Sequence, residues 1–507
     1  MNALKSSNLV QSLGACIFLV FASIGACWAA PADTLRIGSK RFTESYVLAE
    51  ILKGAAAPHG EAVHLQGLGN TAILFEALKQ GSIDLYPDYT GTIAAEILKL
   101  PSADADIATI GAQLAKSGLG IAVPFGFNNT YAIAVRADAQ ATRTLIRLAD
   151  LKASPALKIG LSHEFIGRAD GWPGLAARYG LPHKPTALDH GLAYEALAAG
   201  QVDAIDAYST DAKIGKYRLR VLTDDLAYFP RYDAVVLYRL DVPGRFPAAW
   251  QAITQLQGRI AEARMIELNA AVEIDGQSFA SVAARFLGGA SPATTGRSGL
   301  WSKLAGDDFW RLTLQHAQLV LVSVGVAMLI GIPMGVAAAF NARLGAAMLA
   351  MTAAFQTIPS LALLAMLIPV FGTIGTAPAL FALFLYALLP IVRNTCVGLQ
   401  QIPDGLKQAA SAIGLSARDR LLRIELPLAM PVILAGVKTA AVMSVGTATI
   451  AAFIGAGGYG ERISIGLALN DHQMLLAGAL PAAALAIVTQ ALFELVERRY
   501  LQPPGRR

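Results

Sequence analysis

The C-terminal half of this 507-residue chain carries five apolar stretches, at about 313–339, 344–371, 376–394, 429–454 and 474–496. Each is long enough to cross about 30 Å of hydrocarbon at about 1.5 Å per residue. Hydrocarbon offers no partner to a backbone N–H or C=O, so such stretches fold as helices that close their hydrogen bonds internally. From about Asp33 to Ala290 the charge density is that of an ordinary soluble domain. Taken whole, the chain is 54% hydrophobic and 15% charged, too apolar for a soluble protein and too long for one domain. Two solvents have shaped two halves.

Residues 1–30 run from Lys5 through ACIFLVFASIGAC to the small residues before Pro31, the order of a secretory signal. Cleavage after Ala29 or Ala30, a lipoprotein-like box ending at Cys27, and an uncleaved signal anchor all place the next domain outside the cytoplasm. Of the three cysteines, Cys16 and Cys27 lie in this segment and Cys396 ends an apolar stretch, which argues against a disulfide framework. The net charge of +5 comes with no basic run interleaved with aromatics, so no nucleic-acid groove is expected. His163, His183 and His190 lack compact metal-ligand spacing, and neither a metal nor a cofactor is expected.

From Leu35 short β-type runs alternate with helical ones: LRIGS, ESYVLAEILKGAAA, AVHLQGLG, TAILFEALKQG, IDLYPDY, then a second block through LKIGLS, GWPGLAARYG, HGLAYEALAAGQ and VDAIDAY. This order predicts two α/β lobes with largely parallel sheets, and YDAVVLYRL reads as a return to the first lobe. The expected fold is an α/β two-lobed periplasmic-binding-protein domain of type II. GGASPATTGRSG, from Gly288, reads as a linker. Trp301 and Trp310 beyond it suit a membrane interface or buried packing. Parity from an exported domain puts Arg343, Arg393, Lys407, Arg418, Arg420, Arg423, Arg498, Arg499, Arg506 and Arg507 inside and chiefly Arg462 outside, in accord with the positive-inside rule.

Between the third and fourth apolar stretches lies QAASAIGLSARDRLLRIELP, residues 408–427. Gln408, Ala409 and Ala410, then Gly414, then Ile424, Leu426 and Pro427 closely resemble the coupling loop of ABC-importer permeases, with Gln408 where Glu is usual. The resemblance implies an all-α transmembrane ABC type I importer permease domain driven by a cytoplasmic ATPase. Ala409 and Ala410 are expected to allow close approach, Gly414 to turn the chain between two short helices, and Pro427 to end the second. Gln408 keeps only a neutral hydrogen bond, so coupling is expected to rely more on Arg418, Arg420 and shape. No G-x-x-x-x-G-K-[ST] loop occurs, since Gly215-Lys216 is followed by Tyr217, so the ATPase is expected on another polypeptide. One permease surface per chain makes a homodimer the simplest assembly.

The segments IGSKRFTESYVLAEIL, GSIDLYPDYTGT, NNTYAIAV, SHEFIGRADGWPGL, DAYSTD and RYDAVVL resemble the binding protein of the glycine betaine, choline and carnitine importers. That resemblance implies a cage of Tyr89, Tyr131, Tyr208 and Tyr232 around a quaternary ammonium. It places Lys40, Thr92 and Arg168 near a ligand carboxylate, with Phe165 as a further ring. A trimethylammonium has no N–H to donate, whereas aromatic faces attract it by about 0.5–2 kcal/mol each. Arg168 can grip both oxygens of a carboxylate, which favours a betaine over choline, unless it pairs with Asp170 or Glu164 on the surface. Asn128 and Asn129 are further polar candidates. Asp84, Asp203 and Asp206, near strand ends, are expected to be solvated or capping, and Ser162-His163-Glu164 to form a loop beside the cleft rather than a catalytic triad.

The expected organisation is a signal peptide or anchor at 1–30, a substrate-binding domain at 31–287, a linker and interfacial segment at 288–311, and a permease domain at 312–500 with its coupling loop at 402–428. The chain is expected to be a multi-pass protein of the bacterial inner membrane, binding domain outward, that imports a quaternary-ammonium osmoprotectant and is not itself an enzyme. Choline, carnitine and ergothioneine are alternative cargoes. A ligand-gated channel would need a pore loop with filter residues, and a membrane-anchored sensor a cytoplasmic signalling domain.

Overall fold

The computed structural model describes residues 34–100, 105–168, 170–289, 299–306, 308–469 and 471–500. Residues 1–30, expected to form an export signal or anchor, most of the expected linker, and Arg506 and Arg507 lie outside the described residues. The chain divides into two compact units.

The soluble unit carries ten strands: β1 (Leu35–Gly38), β2 (Ala62–Leu65), β3 (Leu85–Tyr89), β4 (Leu119–Ala122), β5 (Tyr131–Arg136), β6 (Ile159–Ser162), β7 (Thr186–Leu188), β8 (Ala204–Tyr208), β9 (Leu219–Val221) and β10 (Ala234–Arg239). They form two five-stranded sheets, β2-β1-β3-β10-β4 and β7-β6-β8-β5-β9. β3 and β6 are buried along their whole length, as expected of strands covered on both faces. The Thr43–Ala56 helix supports the first sheet with buried Tyr46, Val47, Leu48, Ile51 and Leu52.

In each sheet one strand opposes its neighbours: β10 pairs antiparallel with β3 and β4, and β5 with β8 and β9. Each follows a crossing from the other lobe. The two crossing segments bond to each other, Phe125 N–H to the Ala234 carbonyl at 2.9 Å and Asn129 N–H to the Tyr232 carbonyl at 3.0 Å. Paired crossings of this kind form a hinge between lobes.

The aspartates depart from expectation. Asp84 and Asp206 are fully buried, because each sits between adjacent strands and accepts a backbone N–H of its neighbour. Asp84 takes Arg36 N–H at 2.8 Å and pairs with Arg36 and Arg245, while Asp206 takes the N–H and hydroxyl of Ser162, both at 2.6 Å. Asp203 holds Lys158 N–H at 2.8 Å.

In the second unit, four helices among the described residues are long and apolar enough to cross a membrane: Phe309–Phe340, Thr376–Gln400, Ala417–Ile454 and His472–Arg499. Thr376–Gln400 packs against both Phe309–Phe340 and Leu426–Ala448. Glycines permit the approach. A Cβ on Gly335 would lie 2.5 Å from that of Thr395 and 2.8 Å from the Val392 carbonyl, and one on Gly436 would lie 2.7 Å from the Pro390 carbonyl.

The stretch expected as a single span at 344–371 is instead two helices, Ala342–Thr357 and Ser360–Phe371, bent by 101°. Pro359 pushes Ile358 into an extended conformation, φ −70° and ψ 125°. The carbonyl freed at Ile358 accepts the Tyr386 hydroxyl at 2.6 Å, which satisfies the break internally. Pro427 does not end a helix, as the sequence suggested. The helix runs on to Ile454, because a wider π turn over Leu421–Glu425 absorbs the missing proline N–H. Trp301 and Trp310 are exposed rather than packed.

Candidate ligand cage and coupling surface

Ligands of open α/β sheets bind beyond the carboxyl ends of parallel strands. Here Lys40 and Phe42 follow β1, Tyr89 ends β3, Arg168 follows β6 and Tyr208 ends β8. Because β5 and β10 run the other way, the residues that reach the same edge stand at their starts, Tyr131 and Tyr232. Topology therefore gathers side chains from six strands at one place.

One narrow cavity is lined by Lys40, Phe42, Tyr89, Thr92, Asn129, Tyr131, Glu164, Arg168, Tyr208 and Tyr232. Tyr131 and Tyr208 are register partners with ring centroids 5.1 Å apart, and Tyr131 meets Tyr232 edge-on at 5.7 Å. Burial pushes the Tyr89 and Tyr208 hydroxyls well above the usual phenol range, so their rings remain neutral.

Phe165 does not line the cavity. It lies on the short His163–Gly167 helix, fully buried, its ring 4.9 Å from that of Tyr131, and so supports the cage from behind. The helix is capped by Ser162, which takes Phe165 N–H at 3.1 Å, so Ser162-His163-Glu164 begins a helix rather than forming a loop. Glu164 does reach the cavity.

Arg168 pairs with Asp170 through Nε at 2.7 Å and Nη2 at 2.5 Å, with Glu164 at 3.5 Å and Thr92 Oγ1 at 3.4 Å. The pairing is not a surface one, since Arg168 is 5% exposed. Burial opposes the charge of Asp170, but Arg168 and the Tyr232 hydroxyl at 2.7 Å hold its carboxyl below the usual range. Lys40 pairs with Asp88 at 2.7 Å. Both cations on the cavity wall thus already have acidic partners, leaving an aromatic chamber with no excess positive charge.

Two features escaped sequence reasoning. Phe42 closes one side, 5.5 Å from Tyr208 and 6.3 Å from Tyr89; an aromatic just before a helix in SKRFTES was the available signal. Glu44, fully buried beneath Tyr89, accepts the Tyr89 hydroxyl at 2.6 Å, and nothing in the sequence separates it from an ordinary first-turn glutamate. Asn129 lines the cavity, whereas Asn128 Oδ1 takes Tyr232 N–H at 2.6 Å. No cluster of potential metal ligands occurs among the described residues.

In the membrane unit, Gln408, Ala409 and Ala410 lie on the Asp404–Ala412 helix. Gln408 and Ala409 are exposed, but Ala410 is buried, so close approach at Ala410 is internal to the chain. Gly414 turns the chain at φ +82°, a conformation that favours glycine. Ile424 and Leu426 are half-buried and Pro427 is exposed. Arg418 is exposed, whereas Arg420 turns inward, its Nε 2.7 Å from buried Glu425 and its Nη1 3.2 Å from Ser411, so it is engaged at home.

A hinged two-lobed receptor with an aromatic chamber, on one polypeptide with several membrane-crossing helices, defines a multi-pass solute-import subunit. The family described as the substrate binding domain of ABC-type glycine betaine transport system matches residues 33–289, and that described as binding-protein-dependent transport system inner membrane component matches 331–502. Among relatives, the osmoprotectant import permease protein OsmW of Salmonella typhimurium is 44% identical over 37% of this chain and 88% of its own length. The choline transport system permease protein OpuBB of Bacillus subtilis is 38% identical over 39% of this chain and 91% of its own. A crystal structure titled glycine betaine/carnitine/choline ABC transporter aligns with 50% of this chain and 97% of its own at 27% identity and TM-score 0.43. The chain belongs to the glycine betaine-type ABC importer family, with the substrate-binding domain and the permease fused in one polypeptide. The channel and sensor readings find no support in these matches.

Proposed function

We propose that residues 31–287 capture a quaternary-ammonium osmoprotectant such as glycine betaine and deliver it to the chain's own permease domain, residues 312–500, across the linker and interfacial segment 288–311. The observation that carries this reading is the chamber itself: Tyr89, Tyr131, Tyr208 and Tyr232 converge on one cavity whose cations are matched by carboxylates. The rings take the trimethylammonium. Arg168, Lys40 and Thr92 line the same cavity and suit a carboxylate.

A separate cytoplasmic ATPase drives transport by docking on the coupling loop, residues 402–428. Leu406, Ile413 and Leu422 are 47%, 76% and 52% exposed there beside Gln408 and Ala409, an apolar surface in want of cover. The working particle is a homodimer through the permease domain, in the bacterial inner membrane with the binding domain outward.

Calorimetric titration of the purified full chain with glycine betaine, proline betaine, carnitine, choline and ergothioneine tests the cargo. At least one should bind, and replacing Tyr89 and Tyr208 together by Ala should abolish that binding. Unchanged affinity in the double variant would refute the cage.

A further inference from the structure

Glu44 is a carboxylate with no cation in ion-pair contact among the described residues, yet it is 2% exposed. Its four hydrogen bonds come from four separate parts of the soluble unit. Oε1 accepts the Tyr89 hydroxyl at 2.6 Å and Asn129 Nδ2 at 2.9 Å; Oε2 accepts the Thr210 hydroxyl at 2.5 Å and Asn269 Nδ2 at 3.1 Å. Glu44 and Tyr89 belong to the first lobe, Asn129 to a crossing segment, Thr210 to the second lobe just past β8, and Asn269 to the Glu262–Glu273 helix. Two donors on each oxygen is what an ionised carboxylate, which only accepts, can take. Protonation would force Tyr89 or Thr210 to turn from donor to acceptor.

We propose that Glu44 is the positioning residue of the cage: as a carboxylate clamped by both lobes, it fixes the Tyr89 ring and supplies the negative charge against which a permanently cationic head group is held. This rests on the quaternary-ammonium reading above. Of the other charges around it, Lys40 pairs with Asp88, Arg168 with Asp170 and Glu164, Glu50 with His64 and Lys53, and His190 with Asp206 and Asp211. Glu273 takes the Thr43 hydroxyl and feels Lys213. A charge deep behind a ring and away from water is little screened, and a phenol that donates to a carboxylate presents a more electron-rich face to a cation.

Burial pushes the Glu44 carboxyl up to about 7 against the pull of its four hydrogen bonds, so ionisation falls in an accessible range. A bound cation favours the ionised form. The affinity of the full chain for choline, which has no group titrating there, should therefore tighten by up to about tenfold from pH 6 to pH 8. His190, raised to about 10 by its aspartates despite burial, does not titrate in this window.

The experiment is calorimetry on the full chain in detergent at both pH values with choline and with its uncharged isostere 3,3-dimethylbutan-1-ol. Glu44→Gln should weaken choline by about tenfold or more, flatten the pH profile and leave the neutral isostere within about twofold, while Glu44→Asp should restore part of the profile. The wild-type profile needs no variant to fold, so a flat wild-type response overturns the proposal. So does Glu44→Gln losing both compounds equally, which is the mark of a purely structural role. If glycine betaine and choline both fail to bind the wild type, the cage reading itself falls and this role with it.

Discussion

Arg168 shows how much a single residue's meaning depends on what surrounds it. As a free guanidinium it would recruit a carboxylate strongly; bound bidentate to Asp170 and close to Glu164, it can offer a ligand only the donors those groups leave. On the proposed reading a betaine would share it, whereas choline would make no use of it. Arg168→Ala is therefore expected to weaken glycine betaine by at least tenfold more than choline, read as the ratio of their dissociation constants by calorimetry. Equal losses would mean that Arg168 only holds Asp170 and, through it, the Tyr232 hydroxyl. Glu44 adds a linkage at the same scale. Its folded value of about 7 lies above the ordinary 4.5, so its contribution to stability is full below about 4.5 and is lost as pH rises through 7. A bound cation favours the ionised form and offsets that loss. The ligand-induced rise in Tm should accordingly be larger at pH 8 than at pH 6, as differential scanning fluorimetry of the wild type and Glu44→Gln would reveal.

Among elements, the helix contact between Phe309–Phe340 and Thr376–Gln400 leaves no room for a side chain at Gly335. An added Cβ at Gly335 meets the backbone carbonyl of Val392 at 2.8 Å, and a carbonyl cannot swing aside as a side-chain tip can. Over-packing of this kind costs about 1–3 kcal/mol. Gly335→Leu should lower the thermal stability of the membrane unit and abolish transport while leaving ligand affinity unchanged. Gly325→Ala, whose Cβ meets nothing within 4 Å, should do neither. Sequence reading worked well where one periodicity sufficed. The alternating βα order yielded both sheets, and the tyrosines converged because β5 and β10 reverse direction. It failed where a local breaker acts through a partner distant in sequence. Pro359 bends a span and Pro427 does not, and the difference lies in the Tyr386 hydroxyl that caps the first break and the π turn that absorbs the second. Phe165 stands behind the cavity for a similar reason, since the helix it shares with Ile166 ends at Gly167, one residue before Arg168, and turns the ring inward.

At the scale of the molecule, fusion changes kinetics more than contacts. A receptor tethered by a short flexible linker meets its permease at an effective concentration of about millimolar, independent of how dilute the protein is. Gly288 to Gly299 has the composition of such a tether. On the proposed reading the permease half contributes a coupling surface, capture and delivery reside in this chain, and a separate ATPase supplies the energy. Reconstituted alone in liposomes, the purified chain should bind ligand and hydrolyse no ATP. Adding the matching ATPase should give ligand-stimulated hydrolysis and uptake, both reduced when the exposed apolar side chains Ile413 and Leu422 are replaced by Asp. Inserting a protease site between Gly288 and Gly299 and cutting it should leave uptake intact at high protein density but make it fall with dilution, because the cut receptor must find its permease by diffusion. Uptake that stays constant on dilution after cutting would mean that the two halves hold together without the linker, and ATPase activity from an uncontaminated preparation of the chain alone would overturn the division of labour.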